Sequence, residues 1–238
     1  MKWTEKRQRD YLEDGYWKHL HQARIEWLAD RIRSEQCDVL CILDVGCGDS
    51  VITKRLRDAF PRAIIHAVDM DPVRLGRASA YCKKVAFCHG DATALPFDAA
   101  AFDVVLCHHV IEHIQNDIQV LRECRRVLRP GGLLLLGAPQ ENAWLGRMVR
   151  RLHPRLYAEG EHVNFYTIAD LRRRLERCGF SRIEHRVVGF LFPWYYVHVL
   201  LVWNRLTFRI GDVVSQYWEA GGFAAVLRPR RGDVCRGC

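Results

Sequence analysis

Short apolar runs alternate along the middle of the chain with stretches whose apolar positions recur at helical spacing. Val39-Leu40-Cys41-Ile42-Leu43-Asp44-Val45 is the first run, and comparable ones fall at Ala63 to Val68, Val85 to Cys88, Phe102 to Cys107 and Leu133 to Leu136. Runs with little alternation are what strands buried on both faces produce. Between them Val51 to Ala59, Pro72 to Tyr81 and Asp117 to Leu128 read as helices, so the pattern predicts a parallel sheet covered on both sides. Arg129-Pro130-Gly131-Gly132 is expected to stop the last of these helices and to open the fifth strand. A later helix, Thr167 to Cys178, has Thr167 as its N-cap and Gly179 at C′. Strands near Arg182 to Val188 and Phe223 to Leu227 complete the pattern, and apolar positions from Tyr11 to Ile32 predict one or two helices ahead of it.

Composition changes this picture little. The chain has 238 residues, 49% hydrophobic and 27% charged, which suits one substantial folded domain and argues against a disordered or multi-span membrane protein. An excess of 36 Lys+Arg over 28 Asp+Glu gives a net charge of +8 and suits anionic surfaces without naming one. Arginines 122, 125, 126 and 129, and again 147, 150, 151 and 155, read as solvated helix faces, and no RNA-binding module accompanies them, so nucleic acid is not the expected partner. Ten cysteines spread through apolar runs read as buried reduced thiols. Cys235 and Cys238 have metal-like spacing, but one such pair falls short of a four-ligand site, and no metal is expected. Met1 to Arg7 is charged and lacks the apolar stretch of a secretory signal, which predicts a cytoplasmic location.

The loop Asp44-Val45-Gly46-Cys47-Gly48-Asp49-Ser50 carries the sharpest chemical signal, because two glycines directly after a buried strand let backbone turn tightly and approach a ligand. A nicotinamide-binding loop would need a third glycine where Val51 stands, and a phosphate-cradling loop would need Gly-Lys-Ser/Thr. Asp69 follows the glycines by some twenty residues, at the end of the next strand, where a carboxylate can accept bonds from both ribose hydroxyls. Asp91 ends the third strand, within reach of an adenine amino group. Together they outline an adenosine site that needs no diphosphate.

Five ordered segments resemble one family: Ile42 to Gly48; Val68-Asp69; Gly90-Asp91-Ala92-Thr93-Ala94-Leu95-Pro96-Phe97; Phe102 to Val105 with Val110-Ile111-Glu112-His113; and Leu128 to Gly132. The chain is thereby identified as similar to the class I S-adenosylmethionine-dependent methyltransferases, in the ubiquinone/menaquinone-biosynthesis-like branch. The resemblance runs from about Val39 to Pro139 and resumes over His162 to Phe180. It implies a Rossmann-like, doubly wound α/β fold with a seven-stranded mixed sheet, helices on both faces and a helical N-terminal extension. It implies the cofactor S-adenosylmethionine, leaving as S-adenosylhomocysteine, with Gly46 and Gly48 along the methionine part, Asp69 on the ribose and Asp91 with Ala92 at the adenine. Asp44 would orient the glycine loop and the amino group, and Cys47, Met70 and His108 complete the cofactor set. Ser50 stands where the family often has another glycine.

Acceptor chemistry is read more coarsely. His108 and His109 follow the fourth strand and so face the crevice where ligands bind in such sheets; His109 and His162 are the candidate bases, and both, with Tyr166, the candidate acceptor contacts. Packed or hydrogen-bonded helper roles are the alternative for the histidines, a hydrophobic staple with Phe165 for Tyr166, and Glu112-His113 reads as structural or cofactor-adjacent. Residues 187–203 carry no formal charge and read as a lid, a core helix, a dimer surface or a peripheral membrane contact. The expected layout is a helical cover over 1–36, a methyltransferase domain over 37–230 with substrate insertions at 140–161 and 190–222, and a flexible tail at 231–238. The expected activity is in-line methyl transfer to a small or amphipathic acceptor, lipid- or glycan-linked; RNA methylation and a non-catalytic binding module are the alternatives.

Overall fold

A computed structural model describes residues 15–33, 40–139, 142, 144–152, 162–188 and 222–229. Strands β1 (Cys41–Val45), β2 (Ile64–Asp69), β3 (Ala86–His89), β4 (Phe102–His108), β5 (Leu128–Pro139), β6 (Phe180–Val188) and β7 (Gly222–Pro229) form a sheet in the order β3-β2-β1-β4-β5-β7-β6. The first five are parallel, and β7 runs antiparallel to both β5 and β6. Strand order reverses between β1 and β4, so the loops leaving these two strands diverge and open a crevice at their carboxyl ends.

Register explains why the central runs are apolar with so little alternation. Ile42 pairs with Val104 and Leu43 with Val105, so neighbouring rows of side chains leave opposite faces of the sheet. On one face Ile42, Val104, Leu106, Leu133 and Leu135 pack with Ile25, Ile32 and Leu56. On the other, Leu43, Val105, Cys107, Leu134 and Leu136 pack with Val120, Leu121 and Leu171. Helices α1 (Gly15–Arg33) and α2 (Val51–Ala59) supply the first layer. Helices α4 (Asp117–Val127) and α6 (Ile168–Arg177) supply the second, and α3 (Pro72–Tyr81) and α5 (Trp144–Leu152) are the other α-helices among the described residues.

Local chemistry sets the helix ends. Asp71 caps α3 by accepting from the Val73 and Arg74 N–H groups, with Pro72 supplying a pre-set first turn. Thr167 caps α6 as expected, in a reciprocal capping box with Asp170, and Gly179 follows with φ +83°. The Arg129-Pro130-Gly131-Gly132 turn is a different matter: β5 already begins at Leu128, and pairing with β4 jumps from Phe102↔Leu128 to Val104↔Leu133. The glycines are absorbed as a bulge within the strand rather than a loop before it. A Cβ on Gly132 would lie 2.9 Å from the Arg129 carbonyl oxygen and 3.0 Å from that of Asp103, so only glycine fits.

Every cysteine among the described residues is a free thiol. No helix among them is long and apolar enough to cross a membrane. Residues 1–14, 34–39, 140, 141, 143, 153–161, 189–221 and 230–238 lie outside the described residues, and with them much of the 140–161 insertion, most of 187–203, nearly all of the 190–222 insertion and the Cys235/Cys238 pair.

Candidate active site

A cavity of about 770 Å³ opens at the carboxyl ends of β1, β2 and β4, within the size range of small-molecule sites. Its floor is the loop after β1. Gly46 takes φ +70° while its N–H donates to the Val68 carbonyl at 2.8 Å, and a Cβ there would strike Val110 at 2.3 Å. Asp69 fixes the rest of the loop from the neighbouring strand: Oδ2 accepts the Gly48 N–H at 2.8 Å and Oδ1 accepts the Asp71 N–H at 2.9 Å. Each carboxylate oxygen retains a second lone pair for a guest. Asp44, buried beneath the loop, accepts from the Thr53 hydroxyl at 2.6 Å. Burial, only partly offset by that bond and reinforced by the Asp69 charge, raises the Asp44 carboxyl to about 7. Burial likewise pushes the Cys47 thiol up, so it is a poor nucleophile at neutral pH. Met70, 70% exposed, and Asp91 with Ala92 line the outer wall.

The opposite wall follows β4. Gly137 on β5 makes room for His108, since a Cβ there would lie 2.4 Å from the imidazole. His109 takes φ +55°, a conformation uncommon for a residue with a side chain, and its N–H donates to the Gly137 carbonyl at 2.9 Å. Its Nδ1 lies 2.8 Å from Oε1 of the fully buried Glu112. Burial alone would raise the Glu112 carboxyl, but the bond and charge of His109, with His113 adding to them, hold it below the usual range. An ionised carboxylate only accepts, so Nδ1 carries the hydrogen and Nε2 is the basic nitrogen. Ile111 to His113 form a 3-10 turn, and the loop 162–166 is tied to it: Val163 and Asn164 N–H groups donate to the Glu112 carbonyl at 2.8 and 3.1 Å.

Residues 43–136 match the methyltransferase domain family. Over 169 residues the chain is 31% identical to the "probable S-adenosylmethionine-dependent methyltransferase" of Mycolicibacterium smegmatis, covering 71% of this chain and 61% of that protein. The chain thus carries a methyltransferase-domain match over residues 43–136 and is similar to the class I S-adenosylmethionine-dependent methyltransferases. A ubiquinone biosynthesis O-methyltransferase of Aeromonas salmonicida is 28% identical over 179 residues, 70% of this chain and 74% of that one. The first curated relatives are matched over only 43–61% of their own length. A solved S-adenosylmethionine-dependent methyltransferase from Thermotoga maritima superposes with a TM-score of 0.65 at 16% identity, covering 94% of this chain and 95% of that one, and shows the shared fold.

The cavity gathers most of the residues singled out from sequence: Asp44, Gly46, Cys47, Asp69, Met70, Asp91, Ala92, His108 and His109 all line it. Gly48 lies just behind, under the Arg74 guanidinium. His162 sits beside the cavity-lining His113, with ring centroids 4.7 Å apart. Tyr166 is placed elsewhere. It is fully buried, and its hydroxyl donates to Asp117 at 2.7 Å with the Ile111 carbonyl at 3.0 Å, while Arg174 holds the other Asp117 oxygen at 2.8 Å. The expected acceptor contact is therefore replaced by a latch between α4, α6 and the 3-10 turn. Among the cavity residues that escaped the sequence reading are Asp49, and Arg74, whose Nε lies 3.5 Å from it. Their signal was the Arg74/Arg77 spacing of one helical turn, which lets both arginines meet one carboxylate.

Proposed function

We propose that this chain methylates an oxygen of a small or lipid-like acceptor, with S-adenosylmethionine as donor. The floor fits that donor: Gly46, packed against Val110, lets the loop turn under the cavity, Asp69 and Asp91 offer acceptors for ribose hydroxyls and the adenine amino group, and Asp44 for an ammonium. Bound there, the donor supplies a sulfonium methyl, a strong electrophile that asks the protein chiefly for alignment and exclusion of water. On this reading Gly46, Cys47, Gly48 and Met70 shape the seat and His108 closes its inner end.

The observation that carries the acceptor side is the His109–Glu112 pair at 2.8 Å, held at the cavity wall in a left-handed backbone conformation. Such backbone strain persists where surrounding structure enforces it, often at sites of chemistry. His109 Nε2 takes the acceptor hydroxyl's proton, Glu112 orients the ring, and His162 lies at the acceptor side. One relative is named a ubiquinone biosynthesis O-methyltransferase, a methyl transfer to oxygen by its name, in keeping with this reading. We assign 1–36 as a cover, 37–230 as the catalytic domain, 140–161 and 190–222 as acceptor-facing insertions, and 187–203 as a peripheral membrane contact.

His109→Ala tests it. Methyl transfer to phenolic or aliphatic hydroxyl acceptors should fall about 10²–10⁴-fold, while calorimetric affinity for S-adenosylhomocysteine stays unchanged. Undiminished turnover in the variant would remove His109 from the reaction.

A further inference from the structure

Next to the His109–Glu112 pair, one ring nitrogen each of His113 and His162 and a carboxylate oxygen of Glu112 lie within 4.8 Å of one another. Glu112 is fully buried; its Oε1 faces His109, and its Oε2 has no hydrogen-bond partner among the described residues. A buried carboxylate oxygen left without a donor is costly and calls for an explanation. The cluster is also built rather than incidental. Beyond the two bonds to the Glu112 carbonyl, the Asn164 side-chain amide donates to the Ile111 and Ile114 carbonyls at 3.2 and 2.7 Å, clamping the loop that carries His162 onto the turn that carries His113.

We propose that Glu112, through Oε2, and His113 and His162, through their ring nitrogens, bind one divalent transition-metal ion at the acceptor end of the cavity. Two imidazoles and one carboxylate form a donor set suited to zinc, iron or cobalt, with at least one coordination position left open. Magnesium and calcium prefer all-oxygen shells and fit poorly. His113 lines the cavity, so the open position faces the acceptor and takes a hydroxyl oxygen, whose proton the ion makes easier to remove. That proton passes to His109 Nε2; the oxygen's electron pair forms the new bond to the methyl carbon, and the carbon–sulfur bond breaks with its pair on sulfur. The catalytic part rests on the methyltransferase reading above. Ion binding does not.

The experiment uses the full chain carrying Cys235→Ser and Cys238→Ser, so that the terminal thiols cannot compete, after stripping with a chelator. Zn²⁺ is titrated by calorimetry and Co²⁺ by visible absorption, with S-adenosylhomocysteine affinity measured in parallel. One ion per chain at micromolar concentration, with cobalt bands of a four- or five-coordinate site, is the expected result. His113→Ala and His162→Ala should each weaken ion binding by roughly two orders of magnitude and leave S-adenosylhomocysteine affinity in place. If the stripped protein binds S-adenosylhomocysteine but takes up no ion at micromolar concentration, or if both histidine variants bind it as before, the ion site is refuted and the methyltransferase reading stands. Ion uptake without any S-adenosylhomocysteine binding would have the reverse meaning. The uptake and spectrum of the unsubstituted site decide the matter even if a histidine variant fails to fold.

Discussion

At the proposed donor end of the cavity the contacts run through backbone and short carboxylates, and at the proposed acceptor end through side chains brought together from fifty residues apart. Gly46 and Gly48 are held by the Val68 carbonyl and by Asp69, all within one strand-loop-strand neighbourhood. His109, Glu112 and His113 meet His162 only because β5, α4 and α6 are already packed. The donor end should therefore respond to substitution as an affinity problem, and the acceptor end as a problem of chemistry and tertiary order.

Substitutions can break this contrast. Asp69→Ala removes the acceptor of two loop N–H groups together with the proposed ribose contact, so S-adenosylhomocysteine affinity should fall by about a hundredfold or more. Calorimetry giving a wild-type constant would show that the floor does not depend on this carboxylate. Tyr166→Phe should cost about 1–3 kcal/mol of stability by stripping Asp117 of a buried donor. Its midpoint should fall by several degrees, with donor affinity and acceptor KM unchanged; a raised KM instead would return Tyr166 to the acceptor site.

A pH series sharpens the donor side. The Asp44 carboxyl is raised from 3.8 to about 7, so in the donor-free protein the folded state holds a proton there that the unfolded chain has released. That contribution to stability is complete below the ordinary carboxylate value and is lost as pH rises through 7. A cationic ammonium seated beside Asp44 favours the ionised form. Affinity for S-adenosylhomocysteine should thus rise several-fold between about pH 6 and pH 8, with proton release near neutrality read from the buffer dependence of the binding heat. Asp44→Asn should flatten the series, and a series that stays steep in that variant assigns the proton to another group. The smallest effect is expected for Ser50→Gly. Ser50 occupies φ +63° while fully buried, and glycine there should add about 1 kcal/mol of stability with no change in donor affinity. A loss of stability would mean that the serine makes contacts outweighing its strain.

The same contrast explains what could be read from sequence. The parallel part of the sheet was legible because doubly buried strands leave apolar runs, and the cavity-lining loop after β1 because a tight turn leaves glycines and strand-end carboxylates. The bulge at Gly131-Gly132 was not, since a Pro-Gly-Gly turn and a strand irregularity look alike until the partner strand is in place. Tyr166 misled for a related reason: its partner Asp117 is 49 residues away, and nothing local marks a loop tyrosine as buried. Glu112 did leave a trace, three residues after His109, but a histidine–carboxylate spacing on a short turn acquires meaning only once both side chains face one cavity.

The Asp69 carboxylate, latched to the Gly48 and Asp71 N–H groups, holds the cradle in shape through bonds the chain makes to itself. Little ordering is left for the moment of encounter, so capture should be quick and release should set the lifetime of the complex. Anyone reshaping this cavity for an altered donor would have to carve elsewhere, because the residue proposed to recognise the sugar is also the bolt that keeps the floor from sagging.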